Sequence, residues 1–233
     1  SSPRPSVVAW SNDGRYVFLA MNAQDKWERG ISRWDRQGGT LTSLARDASF
    51  RTGLRLSRTG ETAVMNVASS NRPADPYVAD LALTNVRRVV EANPQLGAGA
   101  LARTELIRYL DADGAPQWGV LYHPTNGAKP APTIFLVYET FFDDTFDATA
   151  NLLASRGYAV VKPSVAFETG YPGEAWLKGV TAAANHVIAM GVADSARLGV
   201  HGTSYGGYAT NLLVTQTKRF KAAVNVSGKV DLI

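Results

Sequence analysis

The stretch that most restricts the fold is Arg197-Leu-Gly-Val-His-Gly-Thr-Ser-Tyr-Gly-Gly-Tyr208, where an apolar run enters a Gly-x-Ser-x-Gly turn and leaves it as an amphipathic segment. Residues 197–201 read as a short buried strand and 205–217 as a helix, so Gly202, Ser204 and Gly206 form a sharp strand-to-helix turn. Glycine is required two places either side of the serine, because strand and helix pass too closely there for a Cβ and the backbone needs unusual dihedrals. The serine hydroxyl is pushed out above the sheet, which makes Ser204 a candidate nucleophile. The N–H of Tyr205, at the helix start, is a candidate oxyanion donor.

The 233 residues, 45% hydrophobic and 19% charged, suffice for one large domain or two smaller ones. No cysteine is present, which removes disulfides, thiolate metal sites and a cysteine nucleophile and leaves the compartment open between cytoplasm and periplasm or secretion. No run of eighteen apolar residues occurs, so no membrane span is expected, and Ser1-Ser-Pro-Arg-Pro5 lacks the apolar core of a signal peptide. The net charge of +4 arises in the first 100 residues, where 13 Lys/Arg face 9 Asp/Glu. Those arginines alternate with turns and acids rather than clustering on one helix, which suits a solvated strand surface and argues against nucleic-acid binding.

The N-terminal part repeats itself. Residues 7–20 read as strand, Asn-Asp-Gly turn, strand, and 54–66 repeat the phrase, Ser57 matching Ser11 and Gly60 matching Gly14 at an offset of 46. Residues 31–35 with Leu41 correspond to 77–80 with Val86 at an offset of 45, each an outer strand, a turn and a last strand. Two units of about four strands at a period near 45 are what propeller blades look like, and a propeller closes with about 4–8 of them. The expected organisation is therefore two blades over 1–92, a linker over 93–103 carrying Pro and Gly without periodicity, and a different architecture over 104–233.

There, 104–110 and 117–122 form an antiparallel hairpin around Asp111-Ala-Asp-Gly114, a Pro-rich loop covers 124–132, and strands then alternate with helices. Strands are expected at 133–138, 158–162 and 221–226 besides the nucleophile strand, with helices at 147–156 and 175–190. The second helix carries an apolar stripe of Trp176, Val180, Ala183 and Val187. A hairpin leading into parallel strands wrapped by helices, with the serine after the third of them, is the α/β-hydrolase layout.

Blades, linker and hydrolase domain in this order, with Trp176, the run 194–208 and Phe220-Lys-Ala-Ala-Val224, resemble the prolyl oligopeptidase (S9) family of serine peptidases. The resemblance implies an acyl-enzyme on Ser204 during hydrolysis of short peptides, with Tyr205 N–H as one oxyanion donor. It also implies that the hydroxyl of Tyr138, just past strand 133–137, completes the oxyanion hole, although Glu139-Thr140 stand where many members have Gly-Gly or Gly-Pro. On this reading the chain covers the last blades and the first half of the catalytic domain, and its partners are a peptide substrate and the remaining segments of the parent. An esterase would use the same elbow, and a non-catalytic propeller interaction module is the other alternative.

The triad of such enzymes runs Ser, Asp or Glu, His along the chain, and 29 residues follow Ser204. His201, three residues before Ser204 on the same strand, supports the turn from below. His186 lies beside the apolar stripe and His123 precedes Pro124 at a strand end, both reading as solvent-facing or packing residues. None has the geometry of a base, and Asp231 follows the next strand where some α/β-hydrolases carry an acid. The chain alone is expected to be inactive or nearly so. The acidic run Glu139, Asp143, Asp144, Asp147 suits capping of the helix that follows. With no His-Glu-x-x-His, paired-His or phosphate-loop motif, neither metal nor cofactor is expected.

Overall fold

The computed structural model describes residues 4–23, 28–97, 101–127, 129–139, 145–167 and 171–230. They cluster into two compact units, Ser1–Leu96 and Gly97–Ile233.

The first unit holds two four-stranded antiparallel sheets in consecutive order. One is built from β1 (Arg4–Trp10), β2 (Tyr16–Ala23), β3 (Glu28–Asp35) and β4 (Thr40–Asp47). The other is built from β5 (Phe50–Leu56), β6 (Thr62–Ser69), β7 (Arg72–Asp80) and β8 (Arg87–Arg88). The repeated phrase has a repeated physical job. In the first sheet Gly14 N donates to Ser11 O at 2.9 Å, Tyr16 N donates to the Ser11 hydroxyl, and Gly14 sits at φ 69°. In the second, Gly60 N donates to Ser57 O at 2.9 Å, Thr62 N to the Ser57 hydroxyl, and Gly60 sits at φ 78°.

Asp35 and Asp80 close the third strand of each sheet in the same way, their Oδ1 atoms accepting from Gln37 N and Gly38 N, and from Ala82 N and Thr84 N. Such Asx turns let a short polar side chain stand in for a backbone turn. Phe18 and Ile31 pack with Leu54, Ala63, Met65, Val67, Ala79 and Leu83 in a shared core. Asn12 Nδ2 bridges the two hairpin turns by donating to Ser57 O and Arg58 O. The repeat fails at its last strand: β8 has two residues against eight in β4, and Val86 precedes it. Pro76, with no N–H to give, ends the ladder after accepting from Val89 N at 2.9 Å.

The second unit is a six-stranded mixed sheet with helices. Its order is β14-β13-β11-β12-β10-β9, from β9 (Thr104–Leu110), β10 (Pro116–Tyr122), β11 (Ala131–Val137), β12 (Ala159–Pro163), β13 (Ala193–Thr203) and β14 (Phe220–Val226). β12, β11, β13 and β14 run parallel; β10 runs antiparallel to β12, and β9, antiparallel to β10, points the same way as the parallel four. β11 begins inside the expected 124–132 loop, because Ala131 N already donates to Val192 O at 2.7 Å beside the start of β13.

Three helices follow the strands: α1 (Ala148–Ser155), α2 (Pro172–Ala189) and α3 (Tyr205–Gln216). Asp147 caps α1 by accepting from Ala150 N at 2.9 Å. The apolar stripe of α2 faces the sheet: Trp176, Val180, Ala183 and Val187 are all fully buried. A Cβ on Gly179 would lie 2.7 Å from the Val165 side chain, so a glycine is what lets this helix approach the chain beyond β12. All five residues of β12 are buried, as a central parallel strand demands. β14 pairs with β13 and has no second neighbour among the described residues, leaving Val224 and Val226 exposed. None of the described helices is long and apolar enough to cross a membrane.

Candidate active site

Strand β13 carries the chain into the turn. Gly202 pairs with Val137 of β11 on one side and Asn225 of β14 on the other, and Ser204 N still donates to Val226 O at 2.8 Å. The backbone then reverses at Ser204, which holds φ 57° and ψ −119° before α3 begins at Tyr205. A non-glycine residue at such a φ stores roughly 1–3 kcal/mol of strain, kept only where the surroundings over-determine it.

The surroundings do so through three glycines. A Cβ on Gly202 would lie 2.0 Å from Gly206 O, and one on Gly206 would lie 2.2 Å from Val137 O. One on Gly207 would lie 2.4 Å from Asn225 Oδ1 and 2.7 Å from Gly228 Cα. All these obstacles but the Asn225 amide are backbone, which cannot rotate away. At these glycines strand β11, the turn and helix α3 meet main chain to main chain, and Ser204 is left exposed at the crest. Tyr205 is the first residue of α3, where N–H groups have no intrahelical acceptor and the helix dipole is positive.

Tyr138 is the first residue beyond β11, and its ring is about half exposed. Its Cδ2 lies 3.2 Å from where a Gly206 Cβ would be, so the ring borders the first turn of α3. The Tyr138 carbonyl accepts from the indole Nε1 of Trp176 at 2.8 Å. Trp176 also meets Phe167 at 5.0 Å, Tyr205 at 5.1 Å and Tyr208 at 5.9 Å between centroids, all edge to face. Ser204, Tyr205, Gly202, Gly206 and Tyr138 are thus brought together around one turn.

The histidines are not brought to the serine hydroxyl. His201, half-buried on β13, lines a cavity of about 310 Å³ at the ends of β11, β12 and β13, shared with Leu136, Tyr138, Lys162 and Thr203. Its Nε2 is buried without a protein partner. Asp147 lies on the same cavity, its Oδ2 3.0 Å from Lys162 Nζ. His186 packs on α2 with its ring 6.0 Å from that of Tyr109.

Of the two roles open to His123, the fold selects packing. The residue is buried, with Nε2 2.6 Å from Arg103 Nη2 and 2.8 Å from Glu105 Oε2. Burial pulls its pKa below the usual 6.5, outweighing the pull of Glu105 in the other direction. Burial thus favours the neutral ring, whose Nε2 lies between the Arg103 guanidinium and the Glu105 carboxylate. Asp143, Asp144 and Asp231 lie outside the described residues. Glu139 is exposed, and Asp147 is the helix cap the sequence suggested.

No sequence signal pointed to the Trp176 bond to Tyr138, which joins residues 38 apart across two elements. The turn at Asn225 and Gly228 was also unforeseen. Its trace in the sequence is Gly207, the second glycine after the serine.

With this geometry in view, comparison with known proteins finds a similarity in the C-terminal part: residues 144–233 match the model of the Prolyl oligopeptidase family (Peptidase_S9). Ser204, Tyr205, Gly202 and Gly206 lie inside that match, and Tyr138 lies just before it. A curated relative in Bacillus subtilis (strain 168), described as the uncharacterized peptidase YuxL, is 28% identical and covers 92% of this chain. This chain spans 35% of that relative's length. The fold is shared with a Mycobacterium tuberculosis puromycin-hydrolyzing peptidase, at TM-score 0.79 and 24% identity over 98% of this chain and 37% of that one. It is also shared with the Pyrococcus horikoshii acylaminoacyl peptidase, at TM-score 0.76 and 20% identity over 98% of this chain and 38% of that one.

Proposed function

We propose that this chain carries the nucleophile of a serine peptidase of prolyl oligopeptidase type, on an α/β-hydrolase domain preceded by two β-propeller blades. The observation that carries the reading is Ser204 at φ 57°, exposed on a turn whose flanking glycines admit no side chain. Backbone strain of this kind is kept where a side chain must be presented in one direction.

The chemistry follows from the placement. Ser204 Oγ attacks a peptide carbonyl, its proton passes to a base, and the carbonyl oxygen becomes an oxyanion held by Tyr205 N–H and the Tyr138 hydroxyl. Collapse of the tetrahedral intermediate expels the amine, which takes up that proton, and leaves an ester on Ser204 for water to hydrolyse. The base is a histidine oriented by a carboxylate, and sequence outside these 233 residues supplies both. In support, His123 and His186 are engaged with Arg103 and Glu105 and with Tyr109, and His201 faces the cavity from the strand beneath the turn. No metal or cofactor enters the scheme. The two similar structures named above, both peptidases, favour a peptide over another acyl substrate.

Labelling with a fluorophosphonate probe tests the proposal, because such probes react with activated serines. This 233-residue chain and its longer parent are compared, each beside its Ser204→Ala form. Labelling of the parent alone, lost on Ser204→Ala, is the expected result. A folded parent that does not label removes the peptidase reading.

A further inference from the structure

Past Val137, the last residue of β11 to pair with β13, the main chain leaves the sheet. Nothing in the β-ladder then determines the orientation of the Tyr138 peptide. Trp176 Nε1 does, by donating to Tyr138 O at 2.8 Å from the second turn of α2. The donor is itself immobile: Trp176 is fully buried, with its ring against Phe167, Tyr205 and Tyr208. One side chain therefore touches both residues that hold the oxyanion in the proposed reaction, Tyr138 through its carbonyl and Tyr205 through its ring.

We infer that Trp176 is a positioning residue for the oxyanion site, acting through its indole N–H on the Tyr138 peptide; this rests on the reading of Ser204 and Tyr138 proposed above. The phenol hydroxyl of Tyr138 sits at the end of a long lever. A rotation of about ten degrees at the peptide shifts it on the order of 1 Å, a misplacement that can cost a reaction about 100-fold. Tyr138 is half exposed, with the edge of Gly206 on one side of its ring. An unmade bond would also leave the Tyr138 carbonyl to find another donor, and the peptide would turn to do so.

The test uses the longer parent protein and two replacements at position 176. Trp176→Phe keeps an aromatic ring in the cluster and removes the N–H. Site-specific incorporation of 3-benzothienylalanine at 176 keeps the shape of the indole, with sulfur in place of N–H, and so separates the bond from the packing. Hydrolysis of p-nitrophenyl acetate and the rate of fluorophosphonate inactivation are measured, with thermal unfolding as a control, in wild-type and Tyr138→Phe backgrounds.

The expected result is a fall in kcat of about ten-fold with KM within about two-fold, smaller than the 10²–10³ cost of deleting an oxyanion donor outright. In the Tyr138→Phe background the same replacements cost less than about two-fold, because the hydroxyl they position is gone. An unchanged kcat for the benzothienyl protein overturns the inference, whether or not Trp176→Phe folds. A loss that persists undiminished with Phe at 138 overturns it too, by showing a merely structural role. Labelling of wild type that survives Ser204→Ala instead removes the function on which the inference rests.

Discussion

The carboxylate of Asp147 serves two partners at once, capping helix α1 through Oδ1 at 2.9 Å from Ala150 N and meeting Lys162 Nζ through Oδ2 at 3.0 Å. The lysine belongs to β12, the strand buried along its whole length, and its side chain is 11% exposed. Such an ammonium is tolerated only near a counter-charge.

Asp147→Ala removes cap and counter-charge together and should cost about 2–4 kcal/mol in urea unfolding. Asp147→Asn keeps the capping oxygen and should cost roughly half as much. Adding Lys162→Met to Asp147→Asn should recover most of the loss, because no charge then remains to be satisfied. If Asp147→Ala and Asp147→Asn are equally destabilised, the cap contributes nothing; if Asp147→Asn is as stable as wild type, the ion pair contributes nothing.

In the N-terminal unit two turn aspartates should contribute to the acid limit of stability, beside Asp13 and Asp47, which are also held below the ordinary carboxylate range. Asp35 is held to a pKa of about 2, first by its hydrogen bond from Arg15, and Asp80 to about 2, first by that from Thr84. Both lie below the ordinary 3.8, so their contribution is complete above that pH and is lost as pH falls from about 4 towards 2. A melting temperature followed over pH 2–5 should drop steeply in the wild type. With Asn at both positions the slope should flatten; an unchanged slope would assign the acid transition to other groups.

His123 acts in a higher window. Its pKa lies below 6.5 in the fold because burial disfavours the charged ring, so stability is full above pH 6.5 and declines as pH falls below it. Glu105, held below 4.5 chiefly by its hydrogen bond with His123, adds a second decline at lower pH. His123→Gln should remove the upper step and shrink the lower one, whose chief cause goes with the ring. A ring NMR titration placing His123 at or above 6.5 would reverse the sign and refute the assignment.

What was legible in the sequence was whatever depends on short spacings. Gly202, Ser204 and Gly206 announced the turn because clearances near 2 Å leave glycine no substitute. The pairs Ser11 with Ser57 and Gly14 with Gly60 announced the hairpins because each turn closes on itself within five residues. What depends on long-range register was not legible. Glu105 reaches His123 only because Tyr122 pairs with Thr104 and lays the two strand ends together. β8 stops at Arg88 because Pro76 of β7 lies opposite the next residue, Val89, and Trp176 finds the Tyr138 carbonyl only once α2 has docked on the sheet. Residue type said what each group could do, and packing decided which partner it met.

The strain at Ser204 can be measured against its function. Glycine adopts φ 57° without penalty, so Ser204→Gly relieves roughly 1–3 kcal/mol of strain while giving back about 0.5–1 kcal/mol in unfolded-chain entropy. It is expected to be as stable as the wild type or more stable by up to about 2 kcal/mol, whereas Ser204→Ala keeps the strain and should be neutral. Neither should react with a fluorophosphonate. Gly202→Ala makes the opposite change, since its Cβ meets Gly206 O at 2.0 Å, and it should lose about 3 kcal/mol or more together with labelling. Gly39→Ala, at φ 63° with nothing within 4 Å, should lose only about 1 kcal/mol. A Ser204→Gly protein less stable than wild type would mean that the turn is relaxed, and that its geometry is not what presents the serine.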